Sequence, residues 1–164
     1  MKSPVALRRS QGFTIAELIT VIAIIGILAG VAMPVARFGL RRLKEVELRD
    51  RLRKITDAID RYHDYHTLAP GSPKRAKGME ALGASGYPKT LDELTKPLEL
   101  TDGTKVRFLR DRDLVDPMTG KNEWTTLSTS DDPDTVSSDN ANVYEVRSTS
   151  HALALDGRTH YNEW

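Results

Sequence analysis

The sequence predicts an α+β protein in which a long N-terminal helix, half transmembrane and half amphipathic, packs on a small antiparallel C-terminal sheet. Three observations lead to this fold class. Residues 13–36 are almost wholly apolar, the next residues repeat apolar side chains at helical spacing, and the C-terminal part alternates short half-apolar segments with turn residues. A chain of 164 residues is also the usual size of one modest domain.

The apolar run, residues 13–36, contains Glu17 as its only strongly polar side chain. As a helix it extends about 36 Å, which exceeds the roughly 30 Å hydrocarbon core of a bilayer. A secretory signal peptide and a plain single-pass anchor are alternatives, but the apolar part of a signal peptide has only about 7–15 residues. Basic residues flank both ends of the run, so they leave the membrane orientation open.

Glu17 needs an explanation because a charged carboxylate is costly in hydrocarbon and usually has a functional partner. The run itself contains no cation. If the chain were cut after Gly12, the new amino group of Phe13 would lie one helical turn from Glu17. The same spacing would let Glu17 of one copy pair with Phe13 of a neighbouring copy in a helical stack.

The helical pattern continues beyond the apolar run. Apolar side chains recur at spacings typical of one helix face, and charged side chains occupy the opposite face. The apolar positions are Leu48, Leu52, Ile55, Ile59 and Tyr62. We therefore expect one helix from about Thr14 to about Tyr65, bent or loosened at Pro34, which cannot donate a backbone hydrogen bond.

Four basic residues follow the apolar run: Arg37, Arg41, Arg42 and Lys44. Polybasic segments next to a membrane helix bind anionic lipids. Pairing with acidic residues of an adjacent copy and simple solvation of the helix surface are the alternatives. The sequence leaves these three interpretations open.

The remaining chain predicts a small head. Residues 67–86 are rich in Pro, Gly, Ser and Ala and indicate a connector. A short helix is expected at Thr90–Leu94, with Thr90 and Glu93 forming a capping box. Alternating polarity predicts strands at residues 105–110, 123–128 and 143–148, and a hairpin with a tight turn at residues 151–161.

The segment of residues 130–142 is acidic. Its hard oxygen side chains are the type that Ca²⁺ prefers, although their spacing is not that of an EF-hand. They are Asp131, Asp132, Asp134, Asp139 and Asn140. A solvated acidic loop is the alternative to a calcium site.

Several functional classes are disfavoured by composition. The chain has no Cys, which excludes thiolate catalysis, disulfides and Cys-type zinc sites. Its formal net charge of +1 favours no nucleic-acid partner. The four histidines, His63, His66, His151 and His160, are expected to be exposed polar residues. No nucleophile–base pattern or phosphate loop is visible in the sequence, and we expect no enzyme activity.

The N-terminal residues resemble a known signal. Arg8-Arg9-Ser10-Gln11-Gly12 followed by Phe13-Thr14-Ile15-Ala16-Glu17-Leu18 is similar to the prepilin motif of type IV pilins and type II secretion pseudopilins. The resemblance implies that a membrane aspartyl peptidase cuts after Gly12 and methylates the amino group of Phe13. It also implies that Glu17 is the assembly residue and that Pro34 is the family's mid-membrane proline.

Shorter C-terminal segments resemble the major pseudopilins of type II secretion. They are Gly86–Leu94, Asp116–Gly120 with Asn122-Glu123-Trp124, Val143–Ser148, Ala154–Gly157 and Tyr161–Trp164. This resemblance implies the pilin fold and a calcium site in the loops of the C-terminal sheet. It also implies a leader (residues 1–12), a transmembrane and filament-core helix (13–36), its amphipathic extension (37–66) and a periplasmic head (67–164).

The resemblance predicts a structural subunit that is anchored in the bacterial inner membrane and polymerises into a helical filament that helps to export folded proteins. The implied partners are further copies of the chain, minor pseudopilins, prepilin peptidase, the inner-membrane assembly platform and membrane lipid, and no nucleic acid. Two alternatives remain. One is a type IV or competence pilin that forms a surface fibre, and the other is a membrane-anchored enzyme or binding module.

Overall fold

The computed structural model describes residues 12–77, 85–132, 135, 138–139 and 141–164. The chain divides into two compact units, Met1–Leu40 and Arg41–Trp164. In chain order, the elements are helix α1 (Ile15–Thr67), helix α2 (Asp92–Thr95), strands β1 (Leu98–Glu99) and β2 (Lys105–Val106), a 3₁₀ helix (Asp111–Leu114), strands β3 (Trp124–Leu127) and β4 (Glu145–Ser148), and a 3₁₀ helix (Tyr161–Glu163). This arrangement of a long N-terminal helix followed by small antiparallel sheets confirms the predicted α+β class.

Helix α1 begins and ends within two residues of the predicted limits and continues through Pro34. Every residue from Gly12 to Lys44 is exposed. Within the described residues, this is the helix whose length and apolar composition would allow it to cross a membrane. The hydroxyl of Thr20, a mildly polar group in the apolar run, donates to the Ala16 carbonyl oxygen at 2.8 Å. That bond satisfies the hydroxyl without water, as a bilayer requires.

The core of the second unit forms on the predicted apolar stripe of α1. Leu48, Ile55, Ile59 and Tyr62 are buried and Leu52 is half-buried. They pack against side chains from the C-terminal elements, among them Leu94, Phe108, Leu114, Val143 and Val146. Burying an aliphatic or aromatic side chain of this size stabilises a fold by about 1.5–3 kcal/mol, so this stripe is the main attachment of the head to the helix.

Two separate two-stranded antiparallel sheets make up the β structure. β1 pairs with β2, with Leu98 opposite Val106. β3 pairs with β4, with Trp124 opposite Ser148 and Leu127 opposite Glu145. The predicted strands at 123–128 and 143–148 are therefore confirmed, with shorter limits.

The predicted strand at residues 105–110 is wrong beyond Val106. Phe108 and Leu109 are both buried, although adjacent residues of a strand face opposite sides. Their N–H groups both donate to the Leu94 carbonyl oxygen, at 3.3 and 3.0 Å. The backbone thus turns onto the end of α2 and cannot continue the ladder with β1.

The predicted capping box of Thr90 and Glu93 is also wrong. α2 begins at Asp92, and no side chain caps it. The Glu93 carboxylate instead accepts hydrogen bonds from the Lys89 N–H at 3.1 Å and from the Tyr62 hydroxyl at 3.2 Å. A buried tyrosine on α1 competes for the carboxylate, which sequence spacing alone does not reveal.

The C-terminal hairpin is reduced to a single bridge between Leu153 and His160. The Ala154 N–H donates to the Thr159 carbonyl oxygen at 2.8 Å and closes the predicted tight turn. The chain then enters the last 3₁₀ helix, because the His160 N–H donates to the Glu163 carboxylate at 3.0 Å and caps it. The predicted second strand is therefore limited to the bridge at His160, and the helical turn begins at Tyr161.

The prediction that the four histidines are exposed is correct only for His151: His66 is buried, and the other two are half-buried. The His66 ring lies 4.0 Å from the Tyr62 ring, and its Nδ1 is 2.6 Å from the Tyr62 carbonyl oxygen. Burial lowers the pKa of His66 below its ordinary value of 6.5. The neutral imidazole thus belongs to the core at the end of α1.

The connector returns to α1 at Gly86. This residue has φ +73°, and a Cβ there would lie 3.2 Å from His63 Cδ2 and 3.3 Å from Thr67 Cγ2. The next residue, Tyr87, stacks on His63 with ring centroids 4.2 Å apart. Glycine is needed here for both the left-handed backbone and the close approach to the helix.

Candidate functional site

The N-terminal end of α1 is organised around Glu17. Its Oε2 accepts hydrogen bonds from the N–H and the hydroxyl of Thr14, each at 3.0 Å, and its own N–H donates to Thr14 Oγ1 at 3.3 Å. This is a reciprocal capping box in which Thr14 is the N-cap and Glu17 the third helical residue. The carboxylate thereby satisfies a free donor of the helix end, where the helix dipole also favours negative charge.

This capping box is a feature that the sequence analysis missed. The spacing Thr14-Ile15-Ala16-Glu17 is the signal that could have found it. The box explains how a carboxylate is tolerated at the start of an apolar helix before any second copy is present. It does not exclude a later cationic partner, because a carboxylate can accept several hydrogen bonds.

The predicted processing site lies just before the helix. Gly12, Phe13 and Thr14 are outside regular secondary structure, and the Phe13 side chain is 88% exposed. A peptide bond between Gly12 and Phe13 is thus not held by helical hydrogen bonds. A cut there would create an amino group next to Thr14, whose N–H already contacts Glu17. The predicted residues therefore lie together at the end of α1.

Pro34, the predicted mid-membrane proline, lies inside α1 in the exposed apolar part of the helix. Proline removes one backbone donor from the helical ladder. Large apolar side chains are exposed on both sides of it, including Ile27, Val31 and Phe38. A continuous exposed apolar surface of this kind is typical of a segment that is covered by lipid or by neighbouring helices.

The acidic loop is only partly described, since Asp134 and Asn140 lie outside the described residues. Asp131 accepts hydrogen bonds from Ser128 N–H at 2.7 Å and from Ser138 Oγ at 2.6 Å. These bonds, the Ser138 hydroxyl first, lower the pKa of Asp131.

Asp139 accepts hydrogen bonds from the Ala141 N–H at 2.9 Å and from the Ser130 hydroxyl at 2.7 Å. Asp132 is exposed in the same loop. Within the described residues, no group of three or more His, Asp or Glu side chains is placed to hold a metal ion. Asp131 and Asp139 hold the loop together through these hydrogen bonds. The calcium site stays a prediction.

The Asp116–Gly120 segment is a closed loop around a fully buried carboxylate. Asp116 accepts hydrogen bonds from the Met118 N–H and from the Ser148 hydroxyl of β4, each at 2.7 Å. The Gly120 N–H donates to the Asp116 carbonyl oxygen at 2.7 Å, and Gly120 has φ +73°. The segment that resembles pseudopilins thus has a structural role: it ties a surface loop to the β3–β4 sheet.

A second buried carboxylate, Glu45, attaches the C-terminal turn to α1. Its Oε1 accepts hydrogen bonds from the Leu155 N–H at 2.7 Å and from the Tyr161 hydroxyl at 2.9 Å. Nearby, the guanidinium of Arg49 lies 4.3 Å from the ring centroid of Trp164. The sequence analysis did not single out Glu45, although its position three residues before Leu48 extends the buried stripe.

The head also has an open groove of about 430 Å³, which is lined by residues 89–92, residues 122–124, Thr126 and Val143. Its charged side chains are Lys89, Asp92 and Glu123, and Thr90 supplies a hydroxyl. None of the described residues that line the groove is a histidine or a cysteine. The lining residues do not form a nucleophile–base pair. Its shallow form is that of a surface depression between elements.

Residues 7–33 match the family model described as the prokaryotic N-terminal methylation motif. Neither a curated protein nor a solved structure matches the chain significantly. The matched range includes Gly12, Phe13 and Glu17, and it overlaps the exposed apolar part of α1. Together, the motif and the helix indicate a membrane-anchored protein. The chain carries the N-terminal methylation signal of prepilin-like proteins.

Proposed function

We propose that this chain is a structural subunit of a type II secretion pseudopilus. In this proposal, prepilin peptidase cuts between Gly12 and Phe13 and methylates the new amino group. The mature subunit then waits in the inner membrane and adds to a helical filament that helps to export folded proteins. The methylation motif at the start of an exposed apolar helix is the observation that carries the proposal.

The arrangement at the end of α1 supports a role in assembly. A capping box keeps Glu17 hydrogen-bonded in the single copy, so the subunit can remain in lipid without a counter-charge. In the filament, the amino group of Phe13 from a neighbouring copy would supply that charge. Exchanging a neutral N–H donor for an ammonium strengthens the hydrogen bond to a carboxylate, which favours the assembled state.

The exposed apolar surface supplies the second part of the argument. Phe13, Ile22 and Leu28 are among the large apolar side chains that α1 leaves uncovered. Lipid covers this surface in the subunit, and neighbouring helices would cover it in the filament core. Membrane helices associate mainly through packing, and Gly26 and Gly30, where a Cβ would meet nothing within 4 Å, leave room for close contact.

The rest of the proposal follows from the resemblance of the C-terminal segments. It places the head in the periplasm and makes minor pseudopilins, the assembly platform and membrane lipid the partners. It also includes calcium bound by the loop of Asp131, Asp132, Asp134, Asp139 and Asn140. A type IV or competence pilin shares the same methylation motif, and a surface fibre seen by electron microscopy would favour that alternative.

The first test is the intact mass and N-terminal sequence of the membrane-extracted protein, produced with a prepilin peptidase. We expect a chain that starts at N-methyl-Phe13, and an unprocessed chain in a Gly12→Val variant. A start at Met1 in the parent protein would contradict processing and favour an anchored module. A start near Met33 would identify an ordinary signal peptide and overturn the filament proposal.

The second test separates processing from assembly. Glu17→Gln should leave the N-terminus at Phe13 but reduce the amount of filament, because the neutral amide cannot form the ion pair. Thr20→Val is the matched control, since its hydroxyl bonds only to its own helix at Ala16. Equal filament yield from Glu17→Gln and Thr20→Val, scored by chemical cross-linking of membranes, would contradict the assigned role of Glu17.

A further inference from the structure

The first turns of α1 in the second unit carry three exposed cations, Arg41, Arg42 and Lys44. Ion pairs in the described chain involve other basic residues. None of these three lies within 4.0 Å of a described carboxylate. Their charge is therefore not neutralised by the head, as far as its described residues show.

The C-terminal turn brings a fourth cation to the same region. Leu155 is held on α1 by the 2.7 Å hydrogen bond from its N–H to Glu45. The turn that follows is closed by the Gly157 N–H, which donates to the Ala154 carbonyl oxygen at 3.1 Å, and Gly157 has φ +69°. Arg158 comes directly after this turn and is exposed. Leu155 and Tyr161, which flank this turn, both bond to Glu45, and Glu45 lies about one helical turn after Arg41 on α1. The turn that carries Arg158 is therefore held near the basic part of α1.

Two further observations define the charge of this region. Burial and the bond to Glu45 raise the pKa of Tyr161, and the charges of Arg41 and Asp156 act on it in opposite directions. Asp156 is engaged by its own turn, since it accepts from the N–H groups of Arg158 and Thr159 at 2.8 and 3.0 Å. Glu47, the other carboxylate next to these cations on α1, pairs with Arg51 at 3.2 Å. The four cations therefore outnumber Asp156 and the buried Glu45.

We infer that Arg41, Arg42, Lys44 and Arg158 form a binding surface for the phosphates of anionic lipid headgroups. Arg41 follows the end of the apolar run by only five residues in the chain. Long basic side chains near the end of a membrane helix reach the headgroup level, and each cation strengthens binding to an anionic surface by about fivefold. This inference depends on the membrane anchor and not on polymerisation.

The test uses the full chain extracted into a non-ionic detergent, with native mass spectrometry during titration with phosphatidylglycerol or with phosphatidylcholine of the same acyl chains. The parent protein should bind phosphatidylglycerol more tightly. The variant Arg41→Gln/Arg42→Gln/Lys44→Gln should lose affinity for it by about 100-fold at low salt, and Arg158→Gln by about fivefold. Binding of phosphatidylcholine should not change in either variant.

The matched control removes the same charge elsewhere on the head, through the exposed residues Arg53, Lys96 and Arg107, each changed to Gln. Its lipid preference should equal that of the parent. An equal loss in the control would show a nonspecific effect of net charge and would overturn the inference. So would an unchanged preference in the triple variant or in Arg158→Gln. Weaker self-association in the same spectra, with lipid binding intact, would instead assign the cations to a second copy of the chain.

Discussion

Replacing Glu45 by alanine is expected to detach the C-terminal turn from α1. The carboxylate is only 8% exposed and is the acceptor for both the Leu155 N–H and the Tyr161 hydroxyl. The substitution leaves two donors without a partner in a site largely closed to water. A buried polar group that loses its partner costs about 1–3 kcal/mol. For two such donors we expect a loss of about 2–6 kcal/mol in the free energy of unfolding.

Two further variants separate the contributions of the two hydrogen bonds to the free energy of unfolding. Tyr161→Phe removes one donor and leaves Glu45 bonded to Leu155, which should cost about 1–2 kcal/mol. Glu45→Gln keeps an acceptor oxygen for both donors and should cost less than Glu45→Ala. Glu47→Ala is the matched control, because Glu47 is 51% exposed and pairs only with Arg51 one turn along the helix. Exposed pairs of this kind contribute about 0.3–0.5 kcal/mol.

Urea unfolding of the full chain in a non-ionic detergent, followed by tryptophan fluorescence, measures these differences. Trp164 packs edge-on against Tyr161, with ring centroids 5.2 Å apart, so its emission reports on the attachment. If Glu45→Ala falls within about 0.5 kcal/mol of Glu47→Ala, the two hydrogen bonds do not hold the turn. The account of the C-terminal attachment would then be refuted.

The remaining predictions concern pH and the second buried carboxylate. Because burial lowers the pKa of His66, the unfolded chain binds a proton at a higher pH than the folded chain does. The free energy of unfolding should therefore be highest above pH 6.5 and fall as the pH drops below it. His66→Phe should flatten this dependence in acid unfolding curves. Burial and Glu93 raise the pKa of Tyr62 to about 12, so the stability that this hydroxyl contributes should be lost as the pH rises above 10. In Tyr62→Phe this loss of stability above pH 10 should be absent. Asp116→Ala leaves the Met118 N–H and the Ser148 hydroxyl unpaired, so it should lower the free energy of unfolding in urea by about 2–6 kcal/mol. Equal stability of this variant and the parent would contradict the closed-loop description.

Local patterns in the sequence were enough to predict α1. The sequence directly shows the features of this helix: the apolar run, the stripe from Leu48 to Tyr62 and the position of Pro34. The core of the second unit lies on that stripe, as predicted. The Thr14–Glu17 capping box could also be predicted from the sequence, since its signal is a spacing of three residues. The same spacing led to the prediction of a capping box at Thr90 and Glu93, which the structure does not have.

Contacts between distant parts of the chain decided the elements that were predicted wrongly. Glu93 does not cap α2, because Tyr62 and the Lys89 N–H lie within reach of its carboxylate. The strand after Lys105 ends early, because the backbone of Phe108 turns to donate to the end of α2. Each outcome depends on which hydrogen-bond partner the fold brings close to the residue. The spacing of residues along the chain does not contain that information.

By itself, the sequence determined the membrane-length helix, the methylation motif around Gly12 and Phe13, and the α+β class. These depend on composition and on periods of a few residues. The tertiary structure alone decided that Glu45 and His66 are buried and that the C-terminal turn is attached to α1 through Glu45. A polar side chain is stable inside a protein only when its hydrogen-bond partners surround it, and those partners come from residues that are more than a hundred positions away for Glu45.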